Sequence, residues 1–379
     1  MFSELKNVYE NRHDYARKWK KEHPNGKVLG YFCTYIPEEI YYAADILPVR
    51  ILGSHETQSV TEPHIFGMYC PFCRDVLAQG LQGRYDYLDG IMISQSCLHL
   101  RQSFASWKKH VPHGSYHYYL NMPHGNQTPH AVPYLREELV TLKKSVETWI
   151  GDTISDEALV EGIKLMNKSR RLMKQIYETR KAPNPPLTGL EAMVMVVSGQ
   201  MMDKREHNEI LEKILAELPH RTLDRETGVR LMTIGSEDDD VAFTEMLESL
   251  NATVVIDEHC TGSRYFWNET IMEDSDPMKA IAERYVFRPP CPSKDWPDRS
   301  RFQHILNLAK EYNVTGAILI QQKFCDPHEF DNPVLKGFLE GNDIKCYPVE
   351  LDAVNALGPF KVRLEAFLEM INADELPFE

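Results

Sequence analysis

Short apolar runs alternate with amphipathic segments in the first and last parts of the chain. The runs have the length of buried strands and occupy residues 28–32, 47–52, 88–94, 115–120, 229–234, 253–257, 316–320 and 345–349. Helical spacing of apolar residues predicts helices at 73–81, 98–109, 241–250, 277–285, 300–312, 333–340 and 360–371. Strands that alternate with helices predict parallel sheets covered on both faces.

The middle of the chain has no strand-like run and is predicted to be helical. Its long amphipathic segments lie at residues 134–150, 155–179, 187–202 and 205–218. We therefore predict an α/β fold of two units with four-stranded, mainly parallel sheets and a helical segment between them. The predicted ranges are 1–132 for the first unit, 133–224 for the helical segment and 225–379 for the second unit. A length of 379 residues agrees with this division, because a chain with a single hydrophobic core is usually shorter.

Composition and charge narrow the class of protein. Apolar residues make up 42% and charged residues 26%, which is the usage of a soluble globular protein. The net charge of −14 argues against binding to nucleic acid or to an anionic membrane, because both need clustered Lys and Arg. The first residues lack the apolar core of a signal peptide, and no apolar run has the length of a membrane span. We expect a cytoplasmic protein.

The eight cysteines carry the candidate chemistry. A reducing compartment and a chain of this size argue against a disulfide framework, so the cysteines are either packed thiols or metal ligands. Ligands of open α/β sheets sit outside the carboxyl ends of the strands. Four cysteines follow predicted strand ends at short distance, namely Cys33, Cys97, Cys260 and Cys325.

The other four cysteines differ in their surroundings. Cys70 and Cys73 form a Cys-x-x-Cys pair in a loop at the start of a predicted helix. Cys291 lies in a proline-rich loop, whereas Cys346 starts a strand at the opposite edge and is expected to be a packed core thiol. Thiolates gathered from several loops suit an iron–sulfur cluster. A zinc site, a redox dithiol and buried thiols without a metal are the alternatives that the spacing leaves open.

Nucleotide-binding motifs are absent from the sequence. It contains neither a Gly-x-x-x-x-Gly-Lys-Ser/Thr phosphate loop nor a Gly-x-Gly-x-x-Gly fingerprint. It also lacks the Gly-x-Ser-x-Gly elbow of α/β-hydrolases. If the chemistry of this protein needs ATP, another polypeptide has to supply it.

Several segments resemble the benzoyl-CoA reductase / 2-hydroxyacyl-CoA dehydratase family, in order and over nearly the whole chain. They read GYFCTYIPEEI at 30–40, AADILPVR at 43–50, CPFCRD at 70–75, SQSC at 94–97, NPPLTGLE at 184–191 and KFCDPHEFD at 323–331. The length, the CPFC segment and RYDY at 84–87 are most similar to the smaller of the two core subunits of ATP-dependent benzoyl-CoA reductases, called gamma or C.

The resemblance implies two Rossmann-like domains around a [4Fe-4S] cluster. It also implies a related second core subunit as partner, ATPase subunits that bind the ATP and inject low-potential electrons, and reduced ferredoxin as the upstream donor. The implied reaction is the reductive dearomatisation of benzoyl-CoA to a cyclic dienoyl-CoA. The alternatives are radical elimination of water in a 2-hydroxyacyl-CoA dehydratase and a non-catalytic electron relay.

The resemblance carries the cluster ligands over to Cys70, Cys97 and Cys325. The fourth iron is then left to water, sulfide, substrate oxygen or a further cysteine, for which Cys73 and Cys33 are the local candidates. An open fourth position would let the cluster touch substrate, whereas a closed one would make it an electron relay. The resemblance assigns no role to Cys260 and Cys291.

Two residues near these cysteines are candidate catalytic groups. Thr34 follows the first strand and could donate a hydrogen bond to a thioester carbonyl, although an N-cap role before the helix at Pro37 is the simpler interpretation. His99 lies two residues after Cys97 and could deliver a proton, although a structural histidine is the simpler interpretation.

Overall fold

The two sheets of the protein have the same number of strands and the same strand order. The computed structural model describes residues 2–112, 114–352 and 357–375, so Met1, His113, 353–356 and 376–379 lie outside the described residues. Each sheet has four strands, and every pairing is parallel. The first sheet, in the order β2-β1-β3-β4, consists of Lys27–Tyr31 (β1), Ile46–Arg50 (β2), Gly90–Ser94 (β3) and Tyr116–Leu120 (β4). The second, in the order β6-β5-β7-β8, consists of Val229–Gly235 (β5), Ala252–Glu258 (β6), Gly316–Gln322 (β7) and Lys345–Leu351 (β8).

Helices cover the sheets and fill the middle of the chain. In the first part they are Phe2–Glu10 (α1), Arg12–Glu22 (α2), Glu38–Ala43 (α3), Pro71–Leu81 (α4) and Leu98–His110 (α5). The middle part contributes Ala131–Ile150 (α6), Asp156–Glu178 (α7), Gly189–Gly199 (α8) and Lys204–Glu217 (α9). The last part contributes Val241–Glu248 (α10), Ser263–Phe266 (α11), Pro277–Phe287 (α12), Ser300–Glu311 (α13), Asp326–Glu340 (α14) and Leu357–Glu375 (α15).

The predicted fold class is confirmed, because all eight predicted strands are present and form two parallel sheets. The helix predicted at 333–340 is wrong in its start, since α14 begins at Asp326. Pro327 lies in the first turn of α14, and Pro333 lies inside the helix. We propose that the chain divides into the ranges 1–132, 133–224 and 225–379, with one sheet in the first range and one in the last.

The strand order creates a crevice at the same place in each unit. The chain moves from β1 to β2 on one side and then to β3 and β4 on the other, so the order reverses between β1 and β3. The same reversal occurs between β5 and β7. Open α/β sheets bind ligands outside the carboxyl ends of strands at such a reversal. Cys33, Cys97 and Cys325 come two or three residues after the ends of β1, β3 and β7.

The helical segment packs against both units. Helix α7 lies along α3 of the first unit, and α8 packs on β6 of the second. A buried ion pair joins Arg170 on α7 to Glu39 on α3, with 2.6 Å between Nη2 and Oε1. Although burial opposes ionisation, the Arg170 guanidinium lowers the pKa of Glu39. Among the described residues, no helix is both long enough and apolar enough to cross a membrane.

Candidate metal centre

A mostly apolar cavity lies at the carboxyl ends of the two sheets. Its volume is about 100 Å³, which leaves room for a non-protein group. Seven of the eight cysteines line it, namely Cys33, Cys70, Cys73, Cys97, Cys260, Cys291 and Cys325. The remaining cysteine, Cys346, is buried in the hydrophobic core on β8, as predicted.

Three helices begin at the cysteines that the family resemblance selects. Cys70, Cys97 and Cys325 are the N-cap residues of α4, α5 and α14. The Sγ atom of Cys97 accepts a hydrogen bond from the Leu100 backbone N–H at 3.4 Å. The first turn of a helix carries a partial positive charge and favours a thiolate. The fold therefore directs three helix N-termini at one cavity whose donor atoms are sulfurs.

The thiols of Cys70, Cys73, Cys97 and Cys325, which we name the first thiol group, contact one another. Hydrogen bonds from the thiols of Cys325 and Cys73 hold the pKa of Cys70 well below its usual range. A hydrogen bond from Cys73 likewise lowers the pKa of Cys97. Burial raises the pKa of Cys73 well above its usual range. The pKa of Cys325 is also raised well above its usual range, because its thiol hydrogen-bonds to Cys70. Cys73 thus belongs to the group, although sequence spacing alone left its place open.

The donors of the first thiol group are sulfurs, the soft ligands that iron–sulfur clusters use. In the part of the chain that the structure describes, no three His, Cys, Asp or Glu side chains are arranged around one metal ion. The thiolates of an iron–sulfur cluster bind different irons, so they need not converge on one point. The first thiol group offers soft ligands, enclosed by the two units and compensated by helix N-termini.

His99 connects the three motifs of the first thiol group. Its Nδ1 accepts a hydrogen bond from the Cys70 backbone N–H at 3.1 Å, and its Nε2 lies 3.5 Å from Oδ2 of Asp326. The Tyr69 ring packs edge-on against it, with 4.7 Å between ring centres. His99 does not line the cavity. The geometry therefore favours a positioning role for His99 over the predicted proton delivery.

Thr34 lines the cavity and does not cap a helix. The N-cap residue of α3 is Pro37, so the simpler interpretation of Thr34 is wrong. Arg288 donates to the Thr34 backbone oxygen at 2.7 Å and to Thr34 Oγ1 at 3.5 Å. A hydroxyl that accepts from a guanidinium keeps its own O–H free to donate. The predicted hydrogen bond from Thr34 to a bound carbonyl is therefore chemically available.

The remaining three cavity cysteines are surrounded by cations. We name this set the second thiol group, and it consists of Cys33, Cys260 and Cys291. The thiols of Cys260 and Cys291 interact electrostatically with that of Cys33. Arg50 Nη2 donates to the Sγ atom of Cys260 at 2.9 Å. The Arg264 guanidinium interacts electrostatically with the thiols of Cys291 and Cys260. The ammonium of the buried Lys294 interacts in the same way with the thiols of Cys33 and Cys291.

Glu237 brings a carboxyl group with a raised pKa to the cavity. Gly235 ends β5 with φ of +154°, and a Cβ there would lie 1.8 Å from the Ile320 carbonyl oxygen, so only glycine lets the chain turn towards the cavity. Burial and the Asp239 carboxylate raise the pKa of Glu237 well above its usual range. The sequence analysis missed this residue, although the acidic run after the strand at 229–234 was a visible signal.

A line of acidic and basic groups leads from Glu237 to the surface. Glu237 Oε1 and Asp239 Oδ2 are both buried, and neither has a hydrogen-bond partner among the described residues. Asp239 Oδ1 lies 2.7 Å from Nε2 of His55, whose side chain is 32% exposed. Although burial opposes protonation, the Asp239 carboxylate raises the pKa of His55 to about 9. Asp239 thus interacts with the buried Glu237 electrostatically and with the partly exposed His55 through a hydrogen bond.

Comparison with known proteins places the chain in a family. The model of the family described as "2-hydroxyglutaryl-CoA dehydratase, D-component" matches residues 33–371. The protein belongs to this family. The matched range contains all seven cavity cysteines. It includes every strand except β1, which precedes Cys33, and it ends within α15.

Relatives in the family are components of dehydratases and of a reductase. The (R)-phenyllactyl-CoA dehydratase beta subunit of Clostridium sporogenes is 27% identical over 93% of both chains. The C-type component of the benzoyl-CoA reductase of Thauera aromatica is 26% identical over 84% of both chains. The beta subunit of the (R)-2-hydroxyglutaryl-CoA dehydratase of Acidaminococcus fermentans is 24% identical over 91% of this chain and 92% of its own. The resemblance seen in the sequence is confirmed at the level of the family, and it includes both reaction types.

Proposed function

We propose that this protein is an iron–sulfur core subunit of an ATP-dependent complex that acts on CoA thioesters, with benzoyl-CoA as substrate. The observation that carries the proposal is the convergence of four thiols and three helix N-termini on one apolar cavity. The CPFC and RYDY segments favour the reductase. The higher identity and coverage of the phenyllactyl-CoA dehydratase subunit favour the second candidate, a 2-hydroxyacyl-CoA dehydratase.

The first thiol group would hold a [4Fe-4S] cluster through Cys70, Cys97 and Cys325. Such a cluster supplies single electrons at low potential when it is bound. The protein contributes the helix N-termini that stabilise thiolates and an apolar wall that excludes water. The thiol of Cys73 contacts those of Cys70 and Cys97, which favours it as a fourth ligand. A fourth thiolate would make this subunit an electron relay to its partner.

Thr34 and Glu237 are the groups that would act on a substrate in the cavity. The Thr34 hydroxyl would donate to the thioester carbonyl oxygen, where negative charge develops on reduction. Glu237 would hand its carboxyl proton to the substrate and regain one through Asp239 and His55.

The remaining partners follow from what the sequence lacks. It contains no phosphate-binding loop, so ATP would bind to a separate ATPase module that activates electrons from reduced ferredoxin. A related second core subunit would complete the complex, since the named relatives are themselves components of larger enzymes. We propose that the complex works in the cytoplasm, without nucleic acid or membrane as partner.

A substrate assay tests the reaction. The complex is purified without oxygen and incubated with ATP, a strong reductant and either benzoyl-CoA or an (R)-2-hydroxyacyl-CoA. We expect ATP-dependent formation of a cyclic dienoyl-CoA from benzoyl-CoA. Elimination of water from the hydroxyacyl thioester, with benzoyl-CoA left intact, would refute the reductase and support the dehydratase.

A further inference from the structure

We infer that three buried cations, Arg50, Arg288 and Lys294, stabilise the reduced state of the cluster that the first thiol group would hold, and so raise its reduction potential. The inference rests on the proposed function, because that function supplies the cluster. Its own content is a role for three charges that neither the resemblance nor the family membership assigns.

Two of the three arginines that line the cavity have no acidic partner. Arg50 is 1% exposed, and its guanidinium donates to the side-chain oxygen of Gln200 at 2.7 Å and to the Cys260 sulfur at 2.9 Å. Arg288 is buried as well, and it donates to the backbone and hydroxyl oxygens of Thr34. None of these acceptors is a carboxylate, so neither guanidinium belongs to an ion pair in the part of the chain that the structure describes.

Lys294 is a third buried cation beside the cavity. It follows Ser293, which lines the cavity, and it is 2% exposed. Its Nζ has no hydrogen-bond partner among the described residues. Burial lowers the pKa of Lys294 to about 8, so the amine still carries its charge at pH 7. Burial also raises the pKa of the neighbouring Cys33 thiol to about 11, and a neutral thiol leaves the Lys294 charge unbalanced.

The wall of the cavity offers little negative charge to balance these cations. Glu237 is the one residue with a carboxyl group among the described residues that line it, and its raised pKa favours the neutral form. The third arginine of the lining, Arg264, is already paired with Glu258, with 3.3 Å between Nε and Oε1. A buried charge without a counter-charge is unfavourable, so the cavity favours an anionic occupant.

A cluster held by thiolates is an anion of this kind, and it becomes more negative when it accepts an electron. The low dielectric constant of a buried site strengthens the attraction between the added charge and the cations. Net charge and solvent exposure are among the factors that set the reduction potential of an iron–sulfur cluster. The ATPase module would therefore have to supply electrons at a less negative potential than it would without the three cations.

A redox titration followed by electron paramagnetic resonance tests the inference. The complex is purified without oxygen as wild type and as Arg50→Gln, Arg288→Gln and Lys294→Gln. The signal of this subunit is the one that disappears in Cys97→Ser, which distinguishes it from any cluster on a partner subunit. At the wild-type midpoint potential, the ratio of reduced to oxidised cluster should fall about tenfold in each neutral variant, a shift of about 59 mV to more negative potential.

Two kinds of control separate charge from structure. Arg50→Lys and Arg288→Lys keep the charge and lose hydrogen bonds, so their potentials should stay close to that of the wild type. A shift as large as in the glutamine variants would assign the arginines a structural role and overturn the inference. Arg136→Gln removes a partly exposed charge that pairs with Asp276 outside the cavity, and it should leave the potential unchanged. An equal shift in this variant would show that the cavity cations have no special effect.

The outcomes also separate this inference from the proposed function. Unchanged potentials in the neutral variants, with the iron content of the wild type, would overturn the inference and leave the proposed function intact. A wild type without iron would overturn both. If an arginine variant loses its cluster, Lys294→Gln decides alone, because the Lys294 amine has no hydrogen bond that the substitution could break.

Discussion

Replacing Glu237 by glutamine isolates the proton that we assign to the cavity. Because burial and the Asp239 carboxylate raise the pKa of Glu237, Glu237→Gln preserves the shape of the side chain and the neutral form that the raised pKa favours. The variant should fold and retain its iron. It cannot transfer a proton, so turnover of the thioester should fall about 10²- to 10⁴-fold. The assay is product formation by the reduced complex at saturating ATP.

The same variant tests the protonation state through stability. An unfolded Glu237 ionises near 4.5, whereas the folded protein retains the proton at higher pH. The stability that this proton contributes is fully present below 4.5 and is lost as pH rises, by about 1.4 kcal/mol per pH unit. Glu237→Gln removes this dependence. Its free energy of unfolding should therefore gain on the wild type as pH rises above 4.5, as measured by urea denaturation at a series of pH values.

Two results would refute this reasoning. Turnover of Glu237→Gln within two-fold of the wild type would show that Glu237 does not deliver the proton. A stability difference that is constant between pH 5.5 and 7.0 would show that the buried carboxyl is ionised. Glu245→Gln is a suitable control, because Glu245 is a helix residue away from the cavity.

Three further predictions concern the surrounding framework. His99→Ala should lower the iron content, because it removes the acceptor of the Cys70 N–H, and His99→Asn should restore it; equal iron in both would contradict a positioning role. Thr34→Val should lower turnover about 10²-fold with iron unchanged, and Thr34→Ser should retain activity; full activity of the valine variant would exclude the hydroxyl. Arg170→Ala should reduce the free energy of unfolding by about 3 kcal/mol in chemical denaturation, because it removes the ion-pair partner of the buried Glu39, to which Thr270 and Tyr285 still donate; a change below about 1 kcal/mol would contradict the ion pair.

The sheets could be predicted from the sequence because each buried strand is a short apolar run, which is visible in the sequence of the strand itself. Sequence reasoning also placed Cys33, Cys97 and Cys325 at one edge, since parallel strands end on the same side. It failed at α14, where two prolines made the helix start ambiguous. The helix start matters for function, because it makes Cys325 an N-cap residue like Cys70.

Other features of the site depend on packing between distant segments. The contact of Arg50 with Cys260 joins residues 210 positions apart, and no local pattern encodes it. The raised pKa of Glu237 results from burial and from the Asp239 carboxylate, and in the sequence these residues are visible only as part of an acidic run. Proton delivery by His99 is a prediction from its position two residues after Cys97. In the structure, the His99 ring faces Cys70 and Asp326.

The central claim is that the first thiol group binds iron, and the iron and acid-labile sulfide of the anoxically purified protein test it most directly. We predict comparable amounts of iron and sulfide in the wild type and in Cys346→Ser, and a loss of about four irons per chain in Cys97→Ser. A wild-type protein without iron, or a Cys97→Ser variant with the full wild-type iron content, would contradict the account.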